Sequence, residues 1–195
     1  MLTAPRGSSP IVAIIGIDPG STHLGVAVLK FNTLTSEIVH TEAWTLDGGR
    51  LKGKNNWLEE IHGARTARIE AMGRELLNTF YHYQPVGVAS ESPFINSKFP
   101  MSGLVLTEVL SEIRNAVMDY DSWQQLHMVP PSSVKNAVSA PGNANKEVMK
   151  EKVAAIPILN YAGNVPLKYL DEHSIDAIAV VFSLYRKVIS REIRL

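Results

Sequence analysis

The stretch Ile11–Asp18, IVAIIGID, closed by Pro19 and Gly20, decides how the rest of the chain is read. It is short and almost continuously apolar, the pattern of a strand covered on both faces, and the Pro-Gly pair ends it. Working outward, residues 25–31 (GVAVLKF) and 37–46 (EIVHTEAWTL) have strand character, and residues 32–36 read as the hairpin loop between them. Residues 47–56 (DGGRLKGKNN) are polar, contain three glycines and read as a mobile loop. Helical spacing then runs over residues 57–83, with Leu58, Ile61, Ala64, Ile69, Met72, Leu76 and Phe80 apolar, until Gln84 and Pro85 stop it. Residues 86–89 form a short buried strand with Glu91 just beyond its end, 103–118 a second helix, and 125–129 a fifth strand closed by Pro130 and Pro131. A short helix over 132–138, a turn at 140–145, a helix over 146–155 capped by Asn145, and a closing helix over 171–187 complete the reading. The closing helix has acidic residues at its start and Arg186 and Lys187 at its end, as the helix dipole favours. The expected class is mixed α/β: five strands, the first three antiparallel, flanked by helices.

Composition narrows the function. With 195 residues, the chain reads as a leader over residues 1–10 (MLTAPRGSSP), expected to be disordered, followed by one domain over residues 11–190. There are no cysteines, which excludes a disulfide framework, a thiolate zinc site and a cysteine nucleophile. No apolar run approaches the roughly 18 residues of a membrane span. The first residues lack the hydrophobic stretch of a secretory signal, so the expected compartment is the cytoplasm. Lysine plus arginine and aspartate plus glutamate both number 19, so the net charge is zero. Duplex binders usually carry a basic excess, so any contact with nucleic acid must come from local clusters of charge.

Four side chains carry the chemistry. Asp18 stands at the C-terminal end of the first strand, where α/β sheets bind ligands, although an Asp before Pro-Gly is also an ordinary turn former. Glu91 occupies the matching place after a later strand, and its alternative reading is simple surface. Asp176 sits in a helix segment, SIDAIAVV, that is apolar almost all round. A charge there requires a salt bridge or a metal, because desolvation is costly. His173 lies three residues earlier, on the same helix face, and is a ligand or base if it is not merely a surface residue. Three carboxylates and an imidazole drawn from separate elements repel one another unless a cation is present. An oxygen-rich set of this kind suits Mg²⁺ or Mn²⁺. Two such ions about 3.5–4 Å apart can stabilise in-line displacement at phosphorus, so phosphodiester hydrolysis is the expected reaction.

Taken together, these residues resemble the RuvC Holliday-junction resolvases of the ribonuclease H-like superfamily. The match begins at residues 16–21 (GIDPGS) with Gly25 at the family's spacing. It continues through Glu91 with Phe94 three positions on, through residues 134–136 (VKN) with Lys146 at the family's distance, and through residues 172–179 (EHSIDAIA). The resemblance spans about residues 11–187. The family places Asp or His at the position of His173, and residues 47–56 and 157–170 match it poorly.

The resemblance implies a ribonuclease H-like nuclease in which Asp18, Glu91, His173 and Asp176 hold two Mg²⁺ ions, with Mn²⁺ as a substitute. It further implies that Lys146 stabilises phosphate charge, that Lys135 positions a neighbouring phosphate, and that Phe94 stacks on a base at the branch point. The implied activity is resolution of four-way junctions by paired cuts leaving 5′-phosphates, in DNA recombination and repair. The implied assembly is a homodimer with the 103–118 helix at its interface. A branch-migration motor is a bacterial partner of the family that nothing in this sequence establishes. Arg65, Arg68, Lys150 and Lys152 are lesser candidates for a basic surface.

Three other readings remain. A nuclease of the same fold could act on other branched DNA, flaps or RNA–DNA hybrids. A sugar-kinase-like or actin-like ATPase also ends its first strand in a similar motif, but needs a second lobe and more chain. A non-catalytic junction-binding protein would retain the fold without the cleavage.

Overall fold

The computed structural model describes residues 10–53, 57–93 and 100–193. The expected leader, apart from Pro10, and Phe94 lie outside the described residues. Three strands come first: β1 (Ile11–Asp18), β2 (His23–Asn32) and β3 (Ile38–Asp47). Helices α1 (Gly48–Leu51), α2 (Trp57–His62) and α3 (Ala64–Tyr83) follow. Next come β4 (Gly87–Glu91), α4 (Pro100–Tyr120) and β5 (Leu126–Val129). The chain closes with α5 (Pro131–Ala137), α6 (Lys146–Ala154), a 3₁₀ turn at Leu167–Tyr169 and α7 (Glu172–Ile189).

The strands form one sheet in the order β3-β2-β1-β4-β5. β1, β2 and β3 pair antiparallel, and β4 and β5 add in parallel on the other side of β1. The expected mixed sheet with three antiparallel leading strands is therefore present. Alternation along β1 divides two buried layers. Ile14 packs with α7 residues such as Ile178 and Val181, whereas Ile15 and Ile17 pack with Met72, Leu76 and Phe80 of α3 and Ile113 of α4. Both faces are thus covered, which explains why the strand reads as continuously apolar.

α7 lies unusually close to the sheet because of Gly16. A Cβ at that position would sit 2.4 Å from the backbone N of Val181 and 2.7 Å from the carbonyl O of Ala177. The helix is buried along nearly its whole length, from Ser174 to Tyr185 apart from Asp176.

Several boundaries differ from the sequence reading. Residues 47–56 are not wholly loop, because Asp47 accepts hydrogen bonds from the backbone N–H groups of Gly49 and Arg50 and starts α1. The helix expected over residues 57–83 is two helices, broken at Gly63, whose φ of 85° leaves the helical region. Glu91 is the last residue of β4 and not a residue beyond it. α4 starts earlier and ends later than expected, at Pro100 and Tyr120.

Candidate active site

Asp18 ends β1 on the face covered by α7. In the register of the first two strands it stands opposite Gly25. A Cβ on Gly25 would lie 2.1 Å from the carbonyl O of His173 and 3.1 Å from the Cβ of Asp18. The glycine therefore lets the first turn of α7 settle against β2 directly beside Asp18. That turn is anchored at its cap, where Asp171 accepts a hydrogen bond from the Ser174 N–H at 2.8 Å. Thr45 Oγ of β3 donates to the same carboxylate at 2.7 Å. Burial pushes the Asp171 carboxyl up, but these hydrogen bonds outweigh it and hold the group below its usual value.

From this anchored turn His173 reaches Asp18, with Nδ1 2.8 Å from Asp18 Oδ2. The hydrogen bond to Asp18 raises the imidazole above its ordinary value, partly opposed by burial. The ring also stacks on His23 of β2, with centroids 5.6 Å apart and planes inclined by 22°.

Glu91 arrives through the parallel pairing of β4 with β1, in which Ile17 faces Ser90. Adjacent strand ends thus bring two carboxylates to one edge of the sheet. Glu91 and Asp176 line a cleft of about 230 Å³ together with Lys135, Asn145 and Lys146. Burial, reinforced by the charges of Asp18 and Asp176, pushes Glu91 up to about 7, with Lys135 pulling the other way. Burial and Asp18 likewise push Asp176 up to about 6, against His173, Lys135 and Lys146. Two carboxyls raised toward neutrality beside a third, by burial first and by their neighbours' charge second, are of the sort found at functional sites.

The lysines are engaged differently. Lys135 Nζ donates to the carbonyls of Gly142 at 2.7 Å and Ala144 at 3.3 Å, so it clamps the turn ahead of α6 while its charge faces the carboxylates. Lys146 pairs with Glu172, the residue next to His173. That partnership was invisible in the sequence, as was the stacking of His23. Of the lesser basic candidates, Lys150 donates to the Leu170 carbonyl at 2.9 Å. Arg65 pairs with Glu108 of α4 at 3.0 Å, on the far side of the sheet from α7.

All four expected ligands thus gather at one edge, Asp18 and His173 as a direct pair with Glu91 and Asp176 on the adjoining cleft. Among the described residues no three acidic or imidazole groups already surround a common point. Three carboxylates with one imidazole nonetheless form a donor set suited to a hard divalent cation, which would offset the burial and the repulsion that raise Glu91 and Asp176.

The sequence profile of the family "Crossover junction endodeoxyribonuclease RuvC" matches residues 14–183, a span that runs from β1 into α7. The chain belongs to the RuvC family. A RuvC of Chlorobium phaeobacteroides is 29% identical over 141 residues, covering 70% of this chain and 64% of that protein. A RuvC of Ehrlichia canis is 27% identical over 174 residues, covering 86% of this chain and 92% of that protein. The structure of Thermus thermophilus RuvC in complex with a Holliday junction substrate superposes with a TM-score of 0.61 at 20% identity, covering 91% of this chain and 96% of that one. At that identity the likeness establishes the fold, which is ribonuclease H-like.

Proposed function

We propose that this protein is a metal-dependent endonuclease that resolves four-way DNA junctions, with Asp18, Glu91, His173 and Asp176 as its metal ligands. The observation that carries the reading is the meeting of Asp18, Glu91 and Asp176 at one sheet edge, with Glu91 and Asp176 raised to about 7 and 6 beside a cleft that also holds two lysines. Metal dependence is a property of RuvC nucleases, and membership of that family supports it here. Mg²⁺ is the ion this donor set suits best, with Mn²⁺ as its substitute and two ions per site. When bound, such ions supply positive charge to the phosphoryl oxygens and acidify the attacking water.

The chain's own residues do the remaining work. Asp18 and His173 are joined by a hydrogen bond, and Glu91 and Asp176 present their carboxylates from a strand end and a buried helix. Lys146 is well exposed, and its pairing with Glu172 is of the kind that contributes little. It is therefore free to exchange that partner for a phosphate oxygen, where its charge offsets the negative charge that builds during attack. Lys135 orders the turn before α6 and adds positive charge behind Glu91. Phe94, three positions beyond Glu91, stacks on an unpaired base at the branch point, a role that rests on the family resemblance. A homodimer joined through α4 would match the two-fold symmetry of a four-way junction and allow paired cuts leaving 5′-phosphates.

The direct test is a substrate panel of four-way junction, flap and RNA–DNA hybrid with Mg²⁺ and with Mn²⁺. Symmetric paired cuts in the junction are expected, and preferential cutting of flaps or hybrids would replace this reading with the broader one. Asp18→Asn is expected to reduce cleavage by at least about 100-fold, the upper range for disturbing a metal's supporting shell, while junction binding in Ca²⁺ persists. Turnover near the parental rate would remove Asp18 from the site.

A further inference from the structure

His23 lies outside the set of ligands and lysines, yet its backbone is held unusually firmly. It opens β2 opposite Asp47. A Cβ on Gly20 would lie 2.1 Å from the carbonyl O of His23, so the bend after Asp18 folds tightly onto this residue. The neighbouring Thr22 carbonyl accepts a hydrogen bond from the Gly48 N–H at 2.9 Å, which ties the same bend to the end of β3. From this fixed base an otherwise exposed imidazole lays its face on the ring of His173, with centroids 5.6 Å apart and planes 22° from parallel.

The pairing solves a mechanical problem. His173 is tied to Asp18 through Nδ1 alone, at 2.8 Å. One hydrogen bond fixes the position of one ring atom but leaves the ring free to swing about it. The other nitrogen, Nε2, stands 3.9 Å from Glu172 and makes no closer contact with it. A ring stacked on a second one, whose backbone is itself held, restricts that swing.

We propose that His23 is a positioning residue of the active site: stacked on His173, it fixes the plane of that imidazole and so the direction in which Nδ1, the nitrogen facing Asp18, is offered to a divalent ion. The proposal rests on the reading of His173 as a ligand, and it concerns the face of the His23 ring and not its nitrogens.

The test compares His23→Leu, which keeps bulk without a ring, with His23→Phe, which keeps a ring without nitrogens. Thermal melting first confirms that both fold like the parent, as an exposed side chain allows. Mn²⁺ affinity is then measured by calorimetry, the ring-current shift of the His173 imidazole by NMR, and junction cleavage as separate kcat and KM. His23→Leu is expected to bind Mn²⁺ about two- to ten-fold more weakly, the usual scale of an aromatic pair. It should also lose the ring-current shift and lower kcat with KM unchanged. His23→Phe should restore all three. Parental Mn²⁺ affinity in His23→Leu would overturn the proposal, and so would a His23→Phe as impaired as His23→Leu, which would assign the role to a ring nitrogen. A parent that binds Mn²⁺ but cuts no junction would refute the resolvase reading, while affinity and NMR would still decide the role of the stack. A parent that binds no Mn²⁺ would end both.

Discussion

Glu91 shows how a single side chain records the demands of the site. Burial first, then the charges of Asp18 and Asp176, raise its carboxyl from 4.5 to about 7. The folded protein therefore holds this proton more tightly than the unfolded chain does. The resulting contribution to stability is fully present below pH 4.5 and is lost as pH rises through about 7. In chelator, the parent protein should weaken across that window, and Asp176, raised to about 6, adds to the same trend. Glu91→Gln carries no charge to bury, so it should be more stable than the parent at pH 8 by on the order of 1–3 kcal/mol. At pH 5 most of the advantage should be gone. Denaturant titrations in EDTA at the two pH values measure it. A variant weaker than the parent by the same amount at both would show that Glu91 is not under electrostatic strain. The same side chain that costs stability in chelator is the one expected to cleave DNA poorly when neutralised, which separates function from folding.

At the scale of elements, α7 carries two of the four expected ligands, and its placement depends on two missing methyl groups. Gly16→Ala would drive a Cβ into the backbone of Val181 and Ala177. Backbone cannot rotate away as a side-chain tip can, so the cost should be roughly 1–3 kcal/mol, as for other overpacked cores. Gly25→Ala meets the His173 carbonyl instead, at 2.1 Å. It should lose cleavage even at a temperature where circular dichroism shows it fully folded, because the turn bearing His173 must move away from Asp18. Retained cleavage in folded Gly25→Ala would mean that this close approach is not required.

These elements also show what the sequence could reveal. The strands were legible because their apolar runs are bounded by Pro, Gly and polar loops, and Asp176 stood out because a charge inside an apolar helix needs an explanation. The break at Gly63 was hidden, because glycine at one position within a helical pattern costs little enough to be tolerated. α1 was hidden because four residues after a capping Asp look like any polar loop. The partners His23 and Glu172 could not be read at all: stacking and ion pairing across elements depend on the sheet order and on the seating of α7, neither of which leaves a local pattern.

For the molecule as a whole, zero net charge sets the terms on which it can hold DNA. Attraction cannot come from an overall positive field, so it must come from local clusters of charge, and the lysines set close to the carboxylates form one. Lys146 is the clearest probe of this, since Lys135 also clamps the turn before α6 and its removal would disturb more than charge. If Lys146 meets a phosphate, Lys146→Gln should reduce the steepness of junction binding against salt by about 0.9 in the log–log slope, one released counterion. Arg65 provides the control. It lies across the sheet and is already paired with Glu108, so Arg65→Gln should leave the slope unchanged. Anisotropy titrations with a labelled junction in Ca²⁺ over a range of salt measure both without cleavage. Equal slopes for the two variants would mean that Lys146 meets no phosphate. A flatter slope for Lys146→Gln alone would mean that a neutral protein directs a polyanion to an edge bearing three carboxylates by placing one exposed cation there.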